Sequence, residues 1–151
     1  MKIYVASSWR NQVQPDVVAA LRAHGHEVYD FKNPPERTAF AWSEIDPNWE
    51  KWTPLNWIEG LKHPRAVDGF NSDFGAMKWA DAGVLVMPCG RSAHIEAGYF
   101  VGGKKPLWIL MAPSEPELMY SMATGLLTSL EALCVTISEY EGDTVESEDR
   151  L

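Results

Sequence analysis

The chain has 151 residues, of which 46% are hydrophobic and 23% charged, and a formal net charge of −8. This length favours one domain with a buried core. The negative charge argues against general attraction to a nucleic acid polymer, which a basic surface would provide. No apolar run approaches the roughly 20 residues needed to cross a bilayer, and the first residues resemble a strand more than a signal peptide. We therefore expect a cytoplasmic protein that does not enter a membrane.

Two sequence features limit the chemistry that the chain can support. Its only two cysteines, Cys89 and Cys134, are far apart and suit free thiols in a reducing compartment better than a disulfide framework or a zinc site. Neither a G-x-G-x-x-G fingerprint nor a G-x-x-x-x-G-K-[ST] phosphate loop occurs. We expect neither a bound metal nor a cofactor.

The first 31 residues predict a β-α-β unit. Residues 3–6 form an apolar strand, residues 7–11 a polar loop, and residues 15–24 an amphipathic helix that ends before Gly25. Residues 27–31 alternate between polar and apolar side chains, as a second strand does. The chain therefore begins as a parallel α/β domain would.

Residues 32–70 interrupt this pattern and are interpreted as an insertion with short helices. Prolines break the segment at five positions and aromatic residues are dense within it: Pro34, Pro35, Pro47, Pro54, Pro64, Phe40, Trp42, Trp49, Trp52 and Trp57. Its tryptophans either pack the insertion onto the core or stack on a ligand, and packing is the commoner role. We expect residues 40–57 to cover the carboxyl edge of the sheet.

Alternating elements resume at residue 71. The pattern predicts a helix over 71–82, a strand over 83–87, a helix over 92–101 and a strand over 106–111. A further helix is expected over 115–124, then helix followed by strand over 126–137, and an acidic tail over 139–151 that is solvated or frayed. We predict one domain over residues 1–151, an α/β fold with a flavodoxin- or Rossmann-like parallel sheet, helices on both faces and the Trp- and Pro-rich insertion.

Ligands of such folds gather where parallel strands end. The loops at residues 7–11, 88–92 and 111–113 should meet there. We interpret Ser92 as the N-cap of the third helix, which puts Glu96 in its first turn, where the helix dipole would lower the pKa of the carboxyl. Glu96 then suits a nucleophile or an ion-pairing group, or it merely complements the helix N-terminus. Arg91 and Ser92, with Arg10 from the first loop, suit an anion pocket.

Three other polar residues are candidates for a role in the site. His94 is more often an exposed or hydrogen-bonded packing residue than a catalyst. Asp81 suits hydrogen bonds at a helix end, whereas Asp73 is freer to face a ligand.

Four segments together resemble the nucleoside 2-deoxyribosyltransferase family, which includes related nucleoside-monophosphate N-glycosidases. They are residues 3–8 (IYVASS), Asp73 with residues 80–86 (ADAGVLV), residues 90–99 (GRSAHIEAGY) and residues 103–106 (GKKP). The resemblance covers about residues 1–112 outside the insertion. Its most specific part is the Ser-x-x-x-Glu-x-Gly helix start, followed by Gly-Lys-Lys-Pro and a strand.

The resemblance implies an enzyme in which Glu96 attacks the anomeric carbon of a nucleoside, forming a glycosyl-enzyme, while Asp73 contacts the base or assists proton transfer. Together with the loop positions, the anion pocket and the aromatic insertion, this predicts a substrate site that includes Ser7, Ser8, Arg10, Gly90, Arg91, Ser92 and Trp42. The resemblance also implies a homo-oligomer in which Met119 and Tyr120 are candidates to complete a neighbouring subunit's site. Gly90 stands where transferases usually carry an aspartate, and Arg91 and Ser92 favour a nucleotide substrate or a hydrolytic outcome.

Three functions therefore remain open on the sequence. The first is an enzyme that cleaves the N-glycosidic bond of a nucleoside or nucleoside 5′-monophosphate, or transfers its 2-deoxyribosyl group. The second is a catalytically silent module of the same fold that binds or senses a nucleotide. The third is a protein-interaction domain that docks through its Trp-rich insertion. A nucleophilic Glu96 must face an enclosed pocket, whereas the other two functions do not require it.

Overall fold

The structure, a computed structural model, describes the backbone of residues 1–148 and the side chains of residues 1–141. Five parallel strands form one sheet in the order β2-β1-β3-β4-β5: β1 Lys2–Ala6, β2 Glu27–Asp30, β3 Ala82–Val86, β4 Leu107–Leu110 and β5 Gly125–Leu127. The helices are α1 Gln14–Ala23, α2 Pro54–Gly60, α3 Pro64–Trp79, α4 Arg91–Gly102 and α5 Leu130–Glu148. This strand order is that of flavodoxin-like folds, so the predicted fold class is confirmed.

Alternation along β1 explains the two layers of the core. Ile3 and Val5 pack on one face with α1 and α5, while Tyr4 and Ala6 pack on the other with α3 and α4. Both faces are covered, which is why β3 and β4 contain only small or apolar residues and are buried throughout. Tyr4, which is fully buried, brings a hydroxyl into the α3–α4 face.

The insertion ends earlier than predicted, at residue 63 instead of 70. Pro64 is the first residue of α3, and the His63 ring accepts a hydrogen bond from the Arg65 amide at 3.1 Å. Pro54 likewise begins α2 behind the capping residue Thr53. Proline is favoured at the first position of a helix because its missing N–H has no intrahelical partner there. These prolines mark helix starts, and the expected short helices are present as α2 and two 3-10 turns, Trp42–Glu44 and Trp49–Lys51.

The C-terminal third departs from the prediction in three ways. Residues 115–124 contain only a 3-10 turn, Leu118–Met122, because Leu118, Met119 and Met122 are exposed and give a helix no apolar face to bury. The order over 126–137 is strand and then helix, with Leu133, Cys134 and Ile137 buried at helical spacing. The acidic tail continues α5 to Glu148, and residues 149–151 lie outside the described residues.

No helix in the described part of the chain is long and apolar enough to span a membrane. Cys89 and Cys134 are both free thiols, as expected.

Gly83 of β3 packs closely against Phe100 of α4. A Cβ at this position would lie 2.7 Å from Cδ2 of the fully buried Phe100. We expect Gly83→Ala to lower the free energy of unfolding by about 1–3 kcal/mol, the usual cost of overpacking a core. Urea denaturation measures this. Gly98→Ala on α4, where an added Cβ meets nothing within 4 Å, is the matched control and should be neutral or slightly stabilising.

Candidate active site

The loops that follow β1 and β3 are joined by hydrogen bonds. Ser7 Oγ donates to the Val86 carbonyl at 2.8 Å, and Asn11 Nδ2 donates to the carbonyls of Val86 and Pro88 at 3.3 and 3.1 Å. Asn11 Oδ1 accepts from the Gln14 amide at the start of α1. The predicted meeting of the two loops at the carboxyl edge of the sheet is therefore confirmed.

A hollow of about 650 Å³ lies over this junction, and we call it the serine–arginine hollow. Its charged lining side chains are Arg10 and Arg91, with no carboxylate among them. Every candidate substrate-binding residue from the two loops lines it, together with part of the insertion: Ser7, Ser8, Trp9, Arg10, Ala39, Phe40, Ala41, Trp42, Ser43, Trp49, Gly90, Arg91, Ser92 and Ala93. The first part of the insertion thus covers the carboxyl edge as expected, while Trp57 is exposed elsewhere.

The start of α4 differs from the prediction. Gly90 occupies the N-cap position with an extended backbone and no side-chain cap, and the helix begins at Arg91. Ser92 is the second helical residue and Glu96 lies in the second turn. Glycine is an acceptable N-cap, and the shift by two residues removes Glu96 from the unpaired amides of the first turn.

Glu96 and Asp73 line one cavity of about 440 Å³ between α3 and α4, which we call the acidic cavity. Apart from these two carboxyl groups its walls are largely apolar. The other lining residues are Phe40, Trp42, Leu61, Ala66, Gly69, Phe70, Phe74, Met77, Ser92, Ile95 and Tyr99. Phe40, Trp42 and Ser92 also line the serine–arginine hollow, so the two spaces adjoin.

Burial changes the expected behaviour of Glu96. Its pKa is raised from 4.5 to about 7, first because burial disfavours the charged form and second because Asp73 is a negative neighbour; the Tyr4 hydroxyl partly offsets both. The expectation of a lowered pKa was wrong because it assumed an exposed first-turn position. At neutral pH Glu96 exists in both protonation states.

Asp73 also titrates above its ordinary range. Burial raises its pKa, while the hydrogen bond from Tyr29 and the charge of Arg37 act in the opposite direction. Tyr29 Oη donates to Asp73 Oδ1 at 2.8 Å and lies 2.9 Å from Ser72 Oγ. Two half-buried carboxyl groups with raised pKa values in one largely apolar cavity are an arrangement that acid–base catalysis uses.

Two tyrosines beneath the cavity were not among the predicted site residues. The Tyr4 and Tyr29 rings are stacked, with centroids 5.4 Å apart and planes at 12°. Burial and the neighbouring charge of Glu96 raise the pKa of Tyr4, so its hydroxyl stays protonated. That hydroxyl influences Glu96 but meets no acceptor at good hydrogen-bond geometry. The alternation of β1 could have identified Tyr4, since it brings a polar atom to the face that carries the site.

His94 and Tyr120 form a separate contact at the start of α4. His94 Nδ1 lies 2.8 Å from the Gly90 carbonyl, which can only accept, and Nε2 lies 2.7 Å from Tyr120 Oη. His94 is therefore a hydrogen-bonded packing residue, one of the two roles favoured for it. Burial raises the pKa of the nearby Cys89 thiol to about 11, which keeps it protonated. Tyr120 and the exposed Met119 do not line the acidic cavity or the serine–arginine hollow of their own chain.

The fold is similar to known structures, although the sequence matches no family model and matches no curated protein significantly. The fold is similar to that of a 2-deoxyribosyltransferase from the psychrotolerant bacterium Bacillus psychrosaccharolyticus, with a TM-score of 0.56, 20% identity, and coverage of 88% of this chain and 90% of that one. The CMP N-glycosidase of Clostridium botulinum aligns with a TM-score of 0.49 and 15% identity over 93% of this chain and 99% of that one. The chain therefore has the fold of a 2-deoxyribosyltransferase, as its motifs predicted.

Proposed function

We propose that this protein cleaves the N-glycosidic bond of a nucleoside or nucleoside 5′-monophosphate, or transfers its 2-deoxyribosyl group, with Glu96 as the nucleophile. The observation that carries the proposal is the pair formed by Glu96 and Asp73, which both line the acidic cavity and both have raised pKa values. The resemblance of the helix start to the nucleoside 2-deoxyribosyltransferase family supports the same roles.

The proposed chemistry uses the two acids differently. A Glu96 oxygen bonds to the anomeric carbon as the C–N bond breaks, and the base leaves with the electron pair of that bond. Asp73, whose pKa is raised by burial, carries the proton in the reactive form of the pair and gives it to the departing base. Water or a second base then attacks the same carbon and releases the Glu96 carboxylate. The apolar walls suit this reaction because a poorly solvated carboxylate gains more from meeting the positive charge that develops on the sugar.

The serine–arginine hollow supports a phosphorylated substrate. Its charged side chains are both arginines, whereas those of the acidic cavity are both carboxylates, so a phosphate is favoured only in the first. Ser92 lines both spaces and would lie between the phosphate and the sugar. We therefore propose a nucleoside 5′-monophosphate with its anomeric carbon at Glu96 and its phosphate near Arg10 and Arg91.

Removal of an arginine from the serine–arginine hollow should raise KM for phosphorylated substrates but not for free nucleosides. We expect Arg91→Met to raise KM for a nucleoside 5′-monophosphate by about 10- to 100-fold, the loss of one hydrogen bond to a charged group at roughly 1.5–3 kcal/mol. KM for the free nucleoside should not change. Lys104→Met, which removes the same charge beyond the other end of α4, is the control. An equal rise in KM for both substrates would contradict a phosphate site.

A screen for base release tests the proposed reaction. Nucleosides and their 5′-monophosphates are incubated with the enzyme, with and without an acceptor base, and free bases are quantified chromatographically. Release without an acceptor identifies a hydrolase, and release or exchange only with an acceptor identifies a transferase. Binding of these ligands with no release from any of them would support the silent binding module and contradict an enzyme.

We further propose that the protein is a homo-oligomer in which Met119 and Tyr120 approach a neighbouring subunit's site. Their segment leaves Leu118, Met119 and Met122 exposed, an apolar surface that a second subunit could cover. Sedimentation analysis of the purified chain tests the assembly.

A further inference from the structure

Residues 38–44 of the insertion, which we call the aromatic strap, form a roof shared by the two cavities. Phe40 and Trp42 meet edge to face, with centroids 4.8 Å apart, and both line the acidic cavity and the serine–arginine hollow. Trp52 packs against Trp42 at 5.6 Å from outside the strap. The only regular structure in the strap is the 3-10 turn Trp42–Glu44. Its position must therefore depend largely on side-chain contacts.

Arg65, in the first turn of α3, supplies most of those contacts. Its Nη2 donates to the carbonyls of Thr38 and Ala39 at 3.2 and 3.1 Å, and lies 3.1 Å from Glu44 Oε2. The guanidinium carbon also lies 5.8 Å from the centre of the Phe40 ring. One side chain thus binds both ends of the strap and faces the ring between them. The planar guanidinium turns Nη2 towards the strap while Nη1 lies 3.4 Å from Asp68 Oδ2 on the same helix, a fixed geometry that a lysine ammonium on a flexible stem does not provide.

Two glycines let the aromatic rings approach the helices beneath them. A Cβ at Gly69 on α3 would lie 3.1 Å from Cβ of Phe40, and one at Gly60 on α2 would lie 2.5 Å from Cζ3 of Trp52. Neither position has room for a methyl group without displacement of the ring. The roof is therefore set closely on α2 and α3 instead of resting loosely on the surface.

We propose that Arg65 is a positioning residue that holds the aromatic strap closed over the candidate active site, so that Phe40 and Trp42 form a wall for a planar ring of the substrate. The proposal rests on the proposed function for the identity of that ring, a nucleobase. An ordered strap binds the base without first losing the conformational entropy of a free loop. Arg65 should therefore act on substrate affinity more than on the chemical step.

The first test needs no ligand. Hydrogen–deuterium exchange of a peptide covering residues 38–44 is compared by mass spectrometry in the wild type, Arg65→Met and Arg65→Lys. We expect exchange to be at least 10-fold faster in Arg65→Met and intermediate in Arg65→Lys. Lys62→Met, which breaks an exposed ion pair with Glu59 near the start of α3, is the control and should exchange like the wild type. Unchanged exchange in Arg65→Met overturns the proposal whatever the activity is.

The second test separates positioning from a general structural role. With the best substrate from the base-release screen, we expect Arg65→Met to raise KM about 10-fold while kcat stays within about 3-fold, and Arg65→Lys to recover part of the loss. Gly69→Ala displaces Phe40 and keeps Arg65, so it should also raise KM. This variant provides the test if Arg65→Met does not fold. A fall in kcat with unchanged KM in these variants overturns the proposal. Absence of any base release in the wild type contradicts the proposed function but leaves the exchange result decisive for the strap.

Discussion

Glu96→Gln should lower base release by a factor on the order of 10³ or more. The amide has nearly the shape of the carboxylate but cannot form the bond to the anomeric carbon on which the proposed mechanism depends. The measurement is single-turnover release of base at pH 8, where most Glu96 of the wild type is ionised, since its pKa is about 7. Glu59→Gln on α2, an exposed position, is the matched control and should keep full activity.

The Glu96→Gln variant should be more stable than the wild type at high pH. This result is expected for a buried nucleophile but not for a carboxylate that caps a helix at the surface. Because the pKa of Glu96 is raised from 4.5 to about 7, the folded protein holds this proton more tightly than the unfolded chain. The stabilisation of the folded state by this protonated Glu96 is fully present below about pH 4.5 and is lost as pH rises through about 7. At pH 8 the charged group then costs up to roughly 3 kcal/mol, which glutamine removes. We expect a higher Tm for Glu96→Gln at pH 8 and little difference at pH 4.5.

Retained turnover in Glu96→Gln would show that the nucleophile is another residue. A 2-fluoro-2-deoxy nucleoside that traps the glycosyl-enzyme gives an independent check, because mass spectrometry locates the label. Label on any residue other than Glu96 would contradict the mechanism. A lower Tm of the variant at pH 8 would contradict the burial argument and support a helix-capping role for the carboxylate.

The periodicity of the sequence predicted most of the parallel sheet because its strands are buried on both faces and its first helices have clear apolar sides. The predicted elements were wrong where one residue type is compatible with two kinds of secondary structure. Pro64 is compatible with irregular structure, but it begins α3, which starts seven residues before the predicted helix. Similarly, the sequence favours helix followed by strand over residues 126–137, although Leu133 and Ile137 are buried at helical spacing in α5.

The sequence predicts which loops meet at the candidate site but not the electrostatics of that site. The two loops and the helix start are local in sequence, and topology alone brings them to one edge of the sheet. The pKa of Glu96 depends on long-range packing, because Asp73 on α3 and Tyr4 on β1 reach it only in the folded chain. The contacts of Arg65 with Thr38 and Ala39 also join residues more than 25 positions apart, and no local pattern indicates them.

Asp73→Asn should lower base release by about 10²–10⁴-fold, the usual contribution of a general acid. The asparagine can still accept the hydrogen bond from Tyr29, which lies 2.8 Å from Asp73 Oδ1, but it cannot give a proton to the base. Asp16→Asn in the first turn of α1 removes an exposed carboxylate far from the cavity and should have no effect.

The pH dependence of Asp73→Asn provides the stricter test. In the wild type the reactive form holds one proton between the two carboxyl groups, so the rate should rise as the pair loses its first proton and fall as it loses its second. The asparagine variant should lack the falling limb. The pKa of Glu96 should be lower in this variant than in the wild type, because the negative charge of Asp73 is one of the causes that raise it.

A substrate that does not need an acid isolates the proton transfer itself. With a 2-deoxyribosyl donor whose leaving group is a nitrophenolate, departure requires little protonation, so the loss in Asp73→Asn should shrink by at least 10-fold relative to a purine or pyrimidine donor. The ratio of the two losses cancels any general damage to folding or binding, since both substrates meet the same variant. An equal loss with both donors would show that Asp73 positions the substrate or Glu96 and gives no proton to the base.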